Sequence, residues 1–294
     1  MKGLDFLSNS EVAKKNRVKV YDAEASMPDV GQYISETVTH LRFAFEKAKL
    51  DLRATNKNTW LGQLWNVMNP LLLSLVYWLL IVVILGSGGN IFDLEGVKVL
   101  TQIVGGLFLY RFVSTGLMSG SKSIVGGGAF VLNTRLPRLI LPLSAVCSAF
   151  LSFLPSLLLY SLFHIVSKYP LGLQLFWVVV ILAILLILTT GLAMASATAN
   201  VYFRDIASFL PYVTRIWLYL TPVIYLYEEI PSSAKWLVYV NPIGSIFVAW
   251  QQVLFEGNNP DAKYLLVGSA WSFGLFVAGF FMFLLKERDF AIRI

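Results

Sequence analysis

Charged residues, cysteine and histidine are scarce in this chain of 294 residues, and each scarcity closes off a class of protein. Charged side chains make up 14%, against about 25% in soluble domains, while 57% of residues are hydrophobic. With a mean hydropathy of +0.69, the composition is that of an integral membrane protein. The single cysteine, Cys147, excludes an internal disulfide, and His40 and His164 stand too far apart in sequence to suggest a metal site. The phosphate-cradling pattern G-x-x-x-x-G-K-[ST] is missing: Gly86, Gly88, Gly89 and the run Gly126-Gly127-Gly128 lack the Lys and Ser/Thr that would complete it. No H-E-x-x-H, paired-cysteine or G-x-S-x-G pattern occurs either. Uphill movement of a substrate would therefore draw on a partner chain or an ion gradient. A proton relay would need Asp, Glu or His inside the spans, and only His164, near a span end, comes close.

Six apolar segments approach the roughly 20 residues that cross a bilayer: 69–86, 99–119, 141–166, 174–196, 207–226 and 264–285. The expected fold is all-α and membrane-integral, with six transmembrane helices and both termini on one face. Positive charge decides which face that is. Lys49, Arg53 and Lys57 precede the first span, Lys122, Arg135 and Arg138 follow the second, Arg204 follows the fourth, and Lys286, Arg288 and Arg293 follow the sixth. The alternate loops dilute Lys98, Lys168, Lys235 and Lys263 with six acidic residues. Both termini are therefore expected in the cytoplasm, with the protein in the cytoplasmic (plasma) membrane. The net charge of +6 then reflects topology, not nucleic-acid binding. Residues 1–32 contain no apolar core of signal-peptide length and are expected to form a mobile cytoplasmic tail.

Two segments are helical in pattern without being spans. In 33–68, Ile34, Val38, Leu41, Phe45, Ala48 and Leu52 form one helical stripe. Arg42, Glu46, Lys49 and Arg53 form another, as expected of a helix lying in the membrane interface. Between spans five and six, the apolar run from Ile243 to Phe255 is too short to cross, and Asn241-Pro242 breaks it from the piece before it. Two re-entrant helices, or a loop packed on the helix tops, fit this pattern. The transmembrane domain is placed at 69–294.

Ionisable groups inside spans point to function, and here they are Arg111 in span two and Arg215 in span five. Tyr77 and Trp78 in span one, with Tyr212, Trp217 and Tyr219 in span five, exceed what interfacial belts need. Such side chains pair a flat apolar face with a hydrogen-bonding edge and suit a sliding sugar chain, although helix packing also uses them. Pro211 and Pro222 are expected to bend span five, as a hinge or as a fixed kink.

The segments "NTWLGQLWNVMNPLLLSLVYWLLI", "NTRLPRLILPLSAVCSAF", "ANVYFRDI", "LTPVIY", "VNPIGSI" and "KERDFAIRI" follow one another in this order. Together they resemble the permease subunit of ABC-2 type polysaccharide exporters, which serve O-antigen, teichoic acid and actinobacterial galactan. The resemblance covers about 33 to 294, and the long N-terminal tail looks most like the galactan members. It implies a homodimer around a central conduit for a lipid-linked polysaccharide. It also implies a separate nucleotide-binding subunit that holds ATP and Mg, with no cofactor in this chain. By the same resemblance, Leu61 and Gly62 would contact the ATPase. Arg135, Pro137 and Arg138 would lie in the main coupling helix, and Arg204 with Asp205 would make a second contact. Arg111 departs from the apolar or aromatic residue common in the family. If it faces the conduit, it could meet a lipid pyrophosphate.

Two other readings stay open at the level of sequence. One is an ABC-2 exporter of a small drug or lipid. The other is a membrane-embedded glycosyl- or phosphotransferase acting on polyprenyl phosphate, which would want clustered cytoplasmic acids for Mg²⁺ where this chain has only Asp205.

Overall fold

The computed structural model describes residues 30–55, 57, 59–84, 94–128, 134 and 136–293, and these are helical with short connections. Two short helices, α1 (Val30–Thr39) and α2 (Leu41–Ala54), come first among the described residues. The bundle proper is α3 (Trp65–Leu79, running on as a π-helical turn over Leu80–Ile84), α4 (Leu94–Gly126), α5 (Ile140–Val166), α6 (Phe176–Tyr202), α7 (Ile206–Leu220) and α10 (Ala262–Lys286). Between α7 and α10 lie α8 (Leu237–Val240) and α9 (Gly244–Gln251), and α11 (Phe290–Arg293) ends the chain. Among the described residues five helices are long and apolar enough to cross a membrane, namely α3 to α6 and α10. The expected tail and the end of the first span fall partly outside the described residues.

The centre of the bundle is α4, whose membrane stretch is far more buried than that of any other span. It packs on α3, α5, α6 and α7, and small residues let it approach them closely. A Cβ on Gly120 would sit 2.5 Å from Ala193 Cβ of α6. The α6–α10 crossing is tighter still: a Cβ on Gly279 would lie 2.2 Å from the Gly191 carbonyl oxygen.

The fifth crossing departs from the sequence expectation. Helix α7 has 15 residues and reaches about 22 Å, short of the roughly 30 Å hydrocarbon core. Pro222 does not bend a continuous span, because the helix has already ended at Leu220. Thr221, the residue before the proline, is extended at φ −110°, ψ 142°, as proline demands of its predecessor. Only Pro211 lies inside α7. Beyond the break, Ser232–Val240 and Gly244–Glu256 form two helical arms meeting at 111°, with the interruption at Asn241-Pro242 where it was expected.

Two carboxamides satisfy the irregular backbone that this break leaves. Gln251 Nε2 donates to the carbonyls of Pro222 at 2.8 Å and Tyr225 at 2.9 Å, and its Oε1 accepts from Tyr227 N at 3.0 Å. Asn241 Nδ2 donates to Leu220 O at 3.2 Å and Thr221 Oγ1 at 2.8 Å, while its Oδ1 accepts from Trp217 Nε1 at 2.8 Å.

The interface segment is two helices where one was expected, with the interruption at His40. The expected apolar stripe divides: Ile34, Val38, Leu41 and Phe45 are exposed, open to a bilayer surface, whereas Leu52 is half-buried and Ala48 is buried. The line that packs inward is Tyr33, Thr37, Ala44 and Ala48, with α2 lying along α5. Its charged face pairs internally, Lys49 with Glu46 at 3.1 Å and Lys47 with Asp51 at 2.5 Å.

Replacing Gln251 by Leu keeps the volume and removes three hydrogen bonds to buried or half-buried backbone. Each buried orphan costs about 1–3 kcal/mol, so the melting temperature in detergent should fall by several degrees. An unchanged melt would show that water replaces the carboxamide.

Candidate functional site

A groove of about 570 Å³ lies between α3, α4 and α7. Tyr77 of α3, Arg111 of α4, and Arg215 and Tyr219 of α7 line it together. Residues 142 apart in sequence meet there, with Tyr77 and Tyr219 sharing a hydroxyl hydrogen bond at 2.9 Å and their rings crossing at 78°. Tyr110, beside Arg111, donates its hydroxyl to the Thr214 carbonyl and fixes α7 against α4. Arg111 and Arg215 are exposed to the groove, and among the described residues neither has an ion-pair partner. An unpaired arginine at the middle of a span costs about 3 kcal/mol or more unless it meets water or an anion. The groove therefore sets two cations and tyrosine rings among largely apolar walls.

Three residues singled out in the sequence lie elsewhere. Trp78 donates its indole N–H to the Gly96 carbonyl at 2.8 Å, tying α3 to the start of α4. Trp217 is bound to Asn241 at the break, and Tyr212 stands exposed on α7 away from the groove. Trp78 and Trp217 point away from the helix faces that carry Tyr77 on α3 and Arg215 with Tyr219 on α7, whereas Tyr212 shares the α7 stripe of Arg215 and Tyr219 without lining the groove. Asn69 and Tyr110 also line the groove. The signal that could have found Asn69 is a lone polar residue in an apolar run.

The second assembly is the end of the bundle where the basic residues gather. Gly62 has φ +50°, a left-handed backbone that favours glycine, at the turn between α2 and α3. One residue on, Gln63 Nε2 caps α2 by donating to Leu52 O at 2.5 Å and Thr55 O at 2.6 Å. Leu61 is half-buried at the same turn, and Arg135 lies outside the described residues. Pro137 is buried. Arg138 is engaged: its backbone N–H donates to Glu287 Oε1 at 2.8 Å and its guanidinium to the Glu287 carbonyl. It therefore ties the start of α5 to the end of α10.

Arg204 and Asp205 are exposed in the α6–α7 turn, next to an exposed Phe203, and among the described residues neither forms an ion pair. The Asp205 side chain does not cap α7. That role falls to buried Asn200 on α6, whose Oδ1 accepts from Ala207 N at 3.2 Å while its Nδ2 donates to Ser121 O of α4 at 2.9 Å. One carboxamide thus joins α4, α6 and α7. Beside it, the Tyr202 hydroxyl donates to Asp289 Oδ2 at 2.5 Å, and Arg293 stacks 4.3 Å from the Tyr202 ring centre.

The family whose profile matches residues 48–255 is described as ABC-2 type transporter. The O-antigen export system permease protein RfbA of Klebsiella pneumoniae is 26% identical over 208 residues, which is 70% of this chain and 78% of that one. Its namesake in Myxococcus xanthus is 29% identical over 247 residues, 83% of this chain and 92% of the other.

Burial raises the proton affinity of the Glu287 carboxyl, outweighing the opposing pull of the Tyr33 hydroxyl, the Arg138 amide and the Arg138 charge. A raised folded-state pKa means that stability is complete below the unfolded value, about 4.3, and is lost as pH rises through the folded value. Glu287→Gln keeps an acceptor for the Arg138 amide and removes the titration. Its melting temperature should gain on the wild type as pH rises from about 4 to neutrality. The opposite trend would mean that the Arg138 charge outweighs burial.

Proposed function

This chain belongs to the ABC-2 type transporter family, and from that premise we propose that it is the transmembrane permease of an ATP-driven exporter of lipid-linked cell-surface polysaccharide. The observation that carries this reading is the groove between α3, α4 and α7. Tyrosine rings offer apolar faces to the C–H surfaces of sugars, and hydroxyls and guanidinium groups offer donors to their rims. A pocket for a small apolar drug would have no use for two unpaired arginines. Relatives named as O-antigen export permeases along most of this chain support the same reading, with teichoic acid and galactan as further members of the substrate class.

In this reading the basic end lies in the cytoplasm, where the positive residues of alternate loops gather, and both termini are cytoplasmic. A separate nucleotide-binding subunit docks there and supplies ATP and Mg. Two copies of this chain face each other so that their grooves close into one conduit. The free charges at the α6–α7 turn, Arg204 and Asp205, contact the ATPase directly, with the exposed Phe203 as an apolar anchor beside them. Arg138, Gln63 and Asn200 act differently: they hold the helices that receive the push.

Co-expression with the partner ATPase separates these roles. Arg204→Glu/Asp205→Lys should lower the ATPase activity of the complex about tenfold without moving the melting temperature of this chain. Arg111→Leu/Arg215→Leu should leave the complex assembled and reduce polysaccharide at the cell surface about tenfold. Full export by the groove variant, or ATPase coupling indifferent to the turn, would sink the corresponding assignment.

A further inference from the structure

A second polar space runs along the bundle on the other side of Arg111. Two cavities, of about 260 and 180 Å³, share Thr55, Ser119 and Ser148 and so form one crevice. The first lies between α2, α4 and α5 at the basic end, and the second continues between α4 and α5 as far as Arg111. Its walls are two hydroxyl ladders at helical spacing. Helix α5 carries Ser144, Ser148, Ser152 and Ser156, and α4 carries Thr115, Ser119 and Ser123. Twelve residues of α5 extend about 18 Å, from the bundle end to the depth of Arg111.

Lipid-facing helices gain nothing from such ladders, so the chemistry of the lining decides what they hold. Ser144 and Ser152 donate to carbonyls of their own helix at 2.8 Å. Ser123 Oγ, by contrast, is buried without a hydrogen-bond partner. Lys122 stands at the mouth and Arg111 at the inner end, and among the described residues neither forms an ion pair. The carboxylate in the lining, Asp51, is already held by Lys47 at 2.5 Å. Two cations without an ion pair among the described residues, together with the unpartnered Ser123 hydroxyl, match an anionic ligand that accepts hydrogen bonds.

We infer that the crevice binds the phosphate of a lipid headgroup, with the lipid tail outside at the mouth against α2, where Leu50 is exposed beside the crevice-lining Asp51. The headgroup enters past Lys122 and reaches Arg111, which also lines the groove on its far side. The crevice and the groove thus meet at one guanidinium. The inference stands on the crevice alone and draws on the exporter reading only for which lipid is carried.

The test uses the full chain purified in detergent without its ATPase, with bound lipid read by native mass spectrometry. The probes are polyprenyl monophosphate, unphosphorylated polyprenol, phosphatidylglycerol and inorganic phosphate. Polyprenyl monophosphate or phosphatidylglycerol should be retained and polyprenol should not, and the preference between the two phosphates identifies the source. Ser148→Leu/Ser152→Leu, which fills the crevice, should weaken retention at least tenfold, with melting as the check on folding. Lys122→Gln, at the exposed mouth, should weaken it about threefold and keeps the test alive if the filled variant does not fold. Equal retention of polyprenol, undiminished binding by the folded filled variant, or displacement by inorganic phosphate at equal concentration would each overturn the inference. Because neither transport nor ATP hydrolysis is measured, such a failure leaves the exporter reading untouched, and failed export would leave the crevice untouched.

Discussion

Backbone amides in a membrane must find partners inside the protein, and the way this chain meets that demand at its one broken crossing shapes the rest of the structure. An unbroken fifth span would satisfy itself. Helix α7 stops short, and the chain continues through irregular backbone into the bent pair that contains the eight-residue α9. The exposed carbonyls and amides at the break are answered by Gln251 and Asn241, two side chains carrying both donor and acceptor at their tips. The re-entrant arms are thereby locked to the end of α7, and Trp217 is drawn into that lock instead of into the groove.

At the opposite end the same chemistry serves a different purpose. Asn200, Gln63 and the Arg138–Glu287 pair connect helix ends that would otherwise be joined only by short turns. Their bonds are made to backbone groups, so they fix the position of whole helices and not merely of side chains. The charges left free, at Arg204 and Asp205, sit on the turn that Asn200 braces. A force applied there reaches α4 and α7 through one residue.

Hydropathy made the spans legible, because bilayer thickness dictates their length almost regardless of detail. The end of α7 at Leu220 was less legible, since the residues after Pro222 are as apolar as those before it. Only the steric demand of the proline on Thr221 separates helix from extended chain there. The interface segment shows the converse: the large residues of its apolar stripe, Ile34, Val38, Leu41 and Phe45, point away from the protein, and the packed line uses Ala44 and Ala48 because close approach to α5 needs small side chains. In the groove, Arg111 and Arg215 stood out as charges in apolar runs. The aromatics could be counted but not aimed, because the 142 residues between Tyr77 and Tyr219 conceal which faces meet. Gln251 and Asn200 attracted no notice, although a carboxamide inside an apolar helix is itself a sign of a backbone in need.

One contact deep in the bundle limits how the groove can change shape. The Val223 carbonyl rests on Gly106 so closely that a Cβ there would lie 2.0 Å from its oxygen. Helix α7 is therefore seated on α4 at three heights: by Asn200 at one end, by the Tyr110–Thr214 hydrogen bond midway, and by this bare glycine at the other. Among the described residues, Trp78 ties α3 to the start of α4, and across the groove the Tyr77–Tyr219 hydroxyl pair ties it to α7 by a bond worth about 1 kcal/mol. If the groove were a doorway, α4 and α7 would be the jamb, α3 the leaf, and Tyr77 with Tyr219 the latch.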